Sequence, residues 1–229
     1  MRNFPMKEYK MKLTGQSFAL IFAMFVGAGI SVVGCASTGI QRSNEAATTM
    51  QTMDNAIKLI VVQLDATGAS LDELTKPGQS DVKKAFELYT GNLSEVEKME
   101  KDFVRHADEM AARGTEYFEE WQKEGNEYKN PQIQQLSEQR RLELGEIYGR
   151  IAQNSVGAKD DFKAYVSKAK EIQIYLSNDL TSKGIASIAP IAGKTVSDGE
   201  NLKYAIKNIQ TAIERARAEM SQTGATLYR

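Results

Sequence analysis

The chain has 229 residues, 41% hydrophobic and 26% charged, with 29 Lys+Arg balanced by 30 Asp+Glu. This length holds one elongated domain or two small ones, and a formal charge of −1 lacks the basic excess of a nucleic-acid binder. One Cys excludes an intramolecular disulfide or a Cys-rich zinc site, and one His excludes the paired Glu-x-x-His ligands of a di-iron bundle.

Arg2, Lys7, Lys10 and Lys12 precede an apolar run from Phe18 to Val33, which closes on Gly34-Cys35-Ala36-Ser37. A positive segment, an apolar core and small residues at the exit make a secretory signal. The run spans 16 residues, short of the roughly 20 that a membrane-crossing helix needs. Its end, Val32-Val33-Gly34-Cys35, resembles a bacterial lipobox. That resemblance implies cleavage before Cys35, fatty acylation of its thiol and acylation of the new amino terminus. Several acyl chains give stable anchoring where one holds only marginally. Ala36, at the second mature position, is not the Asp that commonly retains lipoproteins in the inner membrane. The expected location is therefore the outer membrane, facing the periplasm. Without residues 1–34 the chain carries 25 basic and 29 acidic side chains, a formal charge of −4.

Residues 35–42 read as the lipidated Cys35 and a short tether, and 43–229 as one helical domain. From Ser43 to Thr75, Met50, Met53, Ile57, Ile60, Leu64, Leu71 and Leu74 recur at three- and four-residue spacing, interrupted by Thr67. Lys76-Pro77-Gly78 ends this helix. The second pattern, Ser80 to Asn130, holds rows through Val82, Tyr89, Val96, Phe103, Met110 and Tyr117 and through Phe86, Leu93, Ala107, Gly114, Trp121 and Tyr128. Asn130-Pro131 is a breaker suited to capping the next helix. The third runs from Gln132 to about Lys183 on Ile133, Leu136, Leu144, Tyr148, Ile151, Phe162, Tyr165, Ile172 and Leu176. Gly184 to Lys194, with Pro190 and Gly193, is expected to break it. Ser197 and Glu200 then form a capping box for a fourth helix on Leu202, Ile206, Ile209, Ile213, Ala216, Met220 and Leu227.

No stretch sustains the period of a strand, so the fold is all-α: an elongated antiparallel four-helix bundle with coiled-coil character. Helices two and three, at about 50 residues, span about 75 Å, while the outer two have about 30 residues. This difference predicts a protruding two-helix hairpin stalk at about 112–150, turning at Asn126 to Pro131. The stalk gathers Tyr117, Phe118, Trp121 and Tyr128, a candidate contact surface for a partner or a membrane if the rings do not simply fill the seam. With a symmetric turn Gly114 falls opposite Gly145 there, leaving room for close helix approach or a neighbouring ring.

Catalytic chemistry finds little support. Glu119-Glu120, Asp160-Asp161 and Glu95/Glu97/Glu100 read as a solvated helix face, with Glu100 on the seam. His106 has no evident catalytic partner and reads as a surface residue. There is no phosphate-binding loop, dinucleotide fingerprint, nucleophile elbow or metal-spaced His pair, so no enzyme, cofactor or metal is expected.

The stretch Phe118-Glu119-Glu120-Trp121, Glu127-Tyr128-Lys129-Asn130, Ser137 and Leu142, with Phe162 to Val166, Ile174 to Leu180 and Lys183 to Ile188, resembles a bacterial family of coiled-coil helical lipoproteins of unknown function. Where that pattern carries His and Asn, this chain has Ser177 and Asn178. The resemblance implies the helical fold and the envelope location, with no substrate or catalytic residue. The expected role is a periplasm-facing structural or adaptor protein, anchored through Cys35, that binds an envelope protein or a second copy of itself. The alternative is an amphipathic bundle that interacts with lipid; a small-ligand site inside the bundle is a third.

Overall fold

A computed structural model describes residues 39–225, with side chains to residue 220. The signal segment, Cys35 and Leu227 lie outside the described residues. Four helices follow one another: α1 (Gly39–Thr75), α2 (Val82–Gly125), α3 (Pro131–Asn178) and α4 (Ser182–Ala225). Each packs on its neighbours in the chain and α4 closes back on α1. This is an up-down-up-down antiparallel bundle.

The periodic apolar residues form its core. Met50, Met53, Ile57, Ile60, Leu64, Leu71 and Leu74 of α1 are all buried, as are Leu202, Ile206, Ile209, Ile213 and Ala216 of α4. Two apolar clusters share the four helices. One runs from Met50, Met110 and Tyr148 to Leu64, Val96 and Leu202; the other joins Leu71, Tyr89, Leu93, Ile172, Leu176, Ile185 and Ala192. Where α1 and α4 pass from one cluster to the other, the inward residues are Thr67 and Thr195. Their hydroxyls donate to Gln63 and Ile191 carbonyls at 2.8 and 3.0 Å, which satisfies them inside the helix.

The helix ends follow local chemistry. Gly78 takes φ +78° in the first turn, a conformation favoured by glycine. The Asp81 carboxylate caps α2 by accepting from Lys84 N at 3.1 Å. Asn130 Oδ1 accepts from Gln132 N at 2.9 Å, and Pro131 occupies the first turn of α3.

Two expectations change. The segment 184–194 is no break: α4 starts at Ser182 and passes through Pro190. Thr181 caps it, its hydroxyl accepting from Gly184 N at 3.1 Å, rather than Ser197. Pro190 lies on the solvent face, where water can serve the carbonyl it leaves unpaired, while Ile185, Ile188, Ala192 and Thr195 are buried. That burial offsets the proline's cost of about 3 kcal/mol. The second change follows from the first. The outer helices have 37 and 44 residues, so they accompany the hairpin along most of its length. Residues 112–150 are therefore not a free stalk. Arg42 of α1 pairs with Glu124, and Arg140 of α3 reaches Glu219 of α4 at 3.3 Å. Only a short tip projects.

Candidate functional site

The tip is built by the end of α2, the turn at Asn126–Asn130 and the start of α3. Its register can be read from the pairs that flank it. Glu45 lies 3.6 Å from Arg113, so Gly39, six residues earlier, is level with about residue 119. From there α2 continues six residues to Gly125, about 9 Å past the start of α1.

Four rings meet just inside this end. Tyr117 lies 5.0 Å from Phe118 and 5.6 Å from Trp121, and Phe118 lies 5.7 Å from Tyr148 in edge-on geometry. Tyr117, Phe118 and Trp121 are half-buried and Tyr148 is buried. The Trp121 indole N–H donates to Ser137 Oγ at 2.9 Å, joining α2 to α3. A cleft of about 50 Å³ beside it is lined by Gln122, Asn126, Gln134, Ser137 and Arg141. Burial raises the Tyr117 pKa, opposed by a hydrogen bond with Ser43 and the charges of Arg140 and Arg42. Burial likewise pushes Tyr148 up to about 12, opposed by a hydrogen bond with Thr49. Its hydroxyl donates to the Met110 carbonyl at 2.7 Å. Neutral phenols suit this role as donors at physiological pH.

Of the four candidate contact residues, three thus pack among themselves, while Tyr128 stands out at 41% exposed. Sequence reasoning missed its exposed companions. Ile133 and Leu136, expected in the seam, are 49% and 67% exposed. Here the half-buried positions are taken by Ser137, Arg140 and Arg141. Ile133, Leu136 and Arg140 share one face by their three- and four-residue spacing. Arg140 on that face meets Glu219, and α4 ends six residues later at Ala225, about 9 Å on. The apolar pair lies at and past the last turn of α4. Ile40, at the start of α1, is 76% exposed. The signal available in the sequence was the pair of polar residues, Ser137 and Arg141, at the spacing that continues the seam.

Other sequence candidates separate. Asp160, Asp161, Glu119 and Glu95 are exposed, Glu97 pairs with Lys170 at 3.1 Å, and Glu100 is half-buried. His106 is half-buried rather than on the surface, with Arg105 Nη2 3.3 Å from its Nε2. Among the described residues no three His, Cys, Asp or Glu side chains are placed to hold a metal ion. None of the described helices is long and apolar enough to cross a membrane.

A buried charge went unnoticed in the sequence. Asp54, inside α1, accepts from Lys58 Nζ at 2.7 Å and from Gln210 Nε2 of α4 at 2.8 Å. Burial pushes its carboxyl up, but those hydrogen bonds and the charges of Lys58 and Arg217 outweigh it, so the pKa falls below 3.8. The arrangement joins α1 to α4 and fixes their register; all its partners are protein groups.

An open groove of about 540 Å³ lies between α3 and α4 near the other end, lined by Ile172, Tyr175, Ile188, Pro190, Ile191 and Lys194 among others.

No curated protein and no solved structure matches the chain significantly. A family described as "Protein of unknown function (DUF2959)" matches residues 40–222, which span all but the ends of the bundle. The chain belongs to this family.

Proposed function

We propose that this protein is a bacterial lipoprotein, cut before Cys35 and held by acyl chains on that residue in the outer membrane, facing the periplasm. Its bundle serves as a structural or adaptor element that binds an envelope protein partner, without catalysis. One observation carries the reading: the sole Cys of the chain closes a 16-residue apolar run behind a basic segment. The outer surface offers positions at which an adaptor role can be tested. Large apolar side chains stand exposed on every helix, including Leu59 and Val62 of α1, Leu88 of α2, Ile174 of α3 and Tyr204 of α4.

The test is metabolic labelling with a fatty acid, with mass analysis of the mature amino terminus, on the natural chain and on Cys35→Ser. The natural chain should carry the label and begin at an acylated Cys35; the variant should carry none. A mature chain without lipid would end the anchor reading. For the partner, photo-crosslinkers at positions 59, 88, 174 and 204 in living cells should yield one discrete adduct from at least one face. Silence at all four positions would count against an adaptor.

A further inference from the structure

We propose that the α2–α3 tip is an interfacial seat: Tyr128, Ile133, Leu136 and Ile40 rest in the headgroup region of the bilayer that holds Cys35, and keep the bundle upright on it. This inference rests on the lipoprotein reading above. Four residue-to-residue steps lead from Cys35 to Gly39, a reach of at most about 14 Å. The tip projects about 9 Å beyond Gly39, so in an upright bundle it lies within about 5 Å of the anchoring plane. Any slack in the tether brings it into the headgroups.

The residues at this end fit that medium. Tyr128 presents an aromatic body and a hydroxyl, the amphipathic combination enriched at membrane–water interfaces. Ile133 and Leu136 extend the apolar surface at and past the last turn of α4, and Ile40 lies at the start of α1, the helix entered from the tether. Asn126, Lys129 and Asn130 supply polar groups in the same turn for the headgroup layer. The opposite end carries the turns 76–81 and 179–181; the first has no large apolar side chain, and Leu180 in the second is half-buried against the core. The formal charge of −4 beyond residue 34 gives no general attraction to anionic lipid, so the contact is an apolar one localised at the tip.

The acylated chain has no free thiol, so a single introduced Cys takes a spin label uniquely. Full-length protein, processed and lipidated in cells, is prepared as Tyr128→Cys, Ile133→Cys and Gln79→Cys, with unchanged helicity checked by circular dichroism. Each is placed in vesicles of phosphatidylethanolamine and phosphatidylglycerol. Collision rates are then measured with oxygen, which concentrates in lipid, and with a water-soluble nickel chelate. The expected result is a shift toward oxygen and away from nickel at 128 and 133, with 79 fully aqueous. Labels at 128 and 133 as aqueous as 79, on vesicle-bound protein, would overturn the seat and leave the anchor standing. All three at the interface would mean a bundle lying flat, and 133 shielded from both reagents would mean a protein cover; either overturns the proposal. Protein that carries no acyl group on Cys35 would remove the anchor, and the seat with it.

Discussion

The Tyr148 ring occupies the space that a side chain on Gly114 would fill: a Cβ there would overlap the ring's Cε1, Cζ and Cδ1 atoms. Glycine at this point of α2 lets a tyrosine ring of α3 approach the backbone closely, and the phenol reaches the Met110 carbonyl one turn back. Gly114→Ala should cost about 1–3 kcal/mol through overpacking. Tyr148→Phe should cost about 1 kcal/mol through the lost hydrogen bond. Combining Gly114→Ala with Tyr148→Ala should cost less than the sum of its parts, because the clash disappears with the ring. Urea unfolding of the four variants checks this, and additive costs would refute the proposed overlap.

Asp54 gives the bundle an acid-sensitive joint. Its folded pKa lies below the ordinary 3.8, so the unfolded chain binds more protons between the two values. The stabilisation is present in full above the unfolded value and is lost as pH falls through the folded one. Asp54→Asn should cost about 1–2 kcal/mol at neutral pH and flatten the loss of stability below about pH 4. Denaturant midpoints measured from about pH 2 to 7 check it; parallel pH profiles would contradict it.

Pro190 offers a test of opposite sign. It sits inside α4 on the solvent face, where its ring fills no core space. Pro190→Ala restores one backbone donor and should raise stability by about 2 kcal/mol, less what the proline gains by restricting the unfolded chain. A destabilised variant would show that the proline itself is required for α3–α4 packing.

The single tryptophan makes the tip separately observable. Ser137→Ala removes the partner of the indole N–H. Trp121 fluorescence should then change at lower denaturant than far-ultraviolet circular dichroism, which reports the whole bundle. Coincident transitions in both wild type and variant would show that the tip does not open on its own.

The heptad-like rows of α1, α4 and most of α2 were legible because each apolar residue at three- and four-residue spacing meets a facing helix. Pro77-Gly78 and Asn130-Pro131 were legible because their backbone preferences act locally. What failed was non-local. Pro190 reads as a breaker, but its outward position and the burial of Ile185, Ile188 and Ala192 override that propensity. The length of the stalk depended on that misplaced boundary on the α4 side and on the start of α1 at Gly39 on the other. Ile133 and Leu136 match helical spacing as well as any core pair; only the end of α4 shows that they are bare. Among the site residues, the closeness of Tyr117, Phe118 and Trp121 follows from helical spacing, whereas the pairing of Trp121 with Ser137 depends on the turn. Asp54 was invisible because its satisfying partner, Gln210, lies 156 positions away.

The threonine positions in α1 and α4 divide the apolar interior into two blocks carried on the same four rods. Neither block holds a short helix of its own, so backbone continuity links them while side-chain contacts are concentrated within each. Such an interior can melt in stages. Amide exchange should therefore separate a slow population around Phe103 and Phe162 from another around Tyr89 and Leu176, with different opening energies. A lesion beside the Gly78 turn would then loosen the far half of the molecule while the half next to Gly39 keeps its shape.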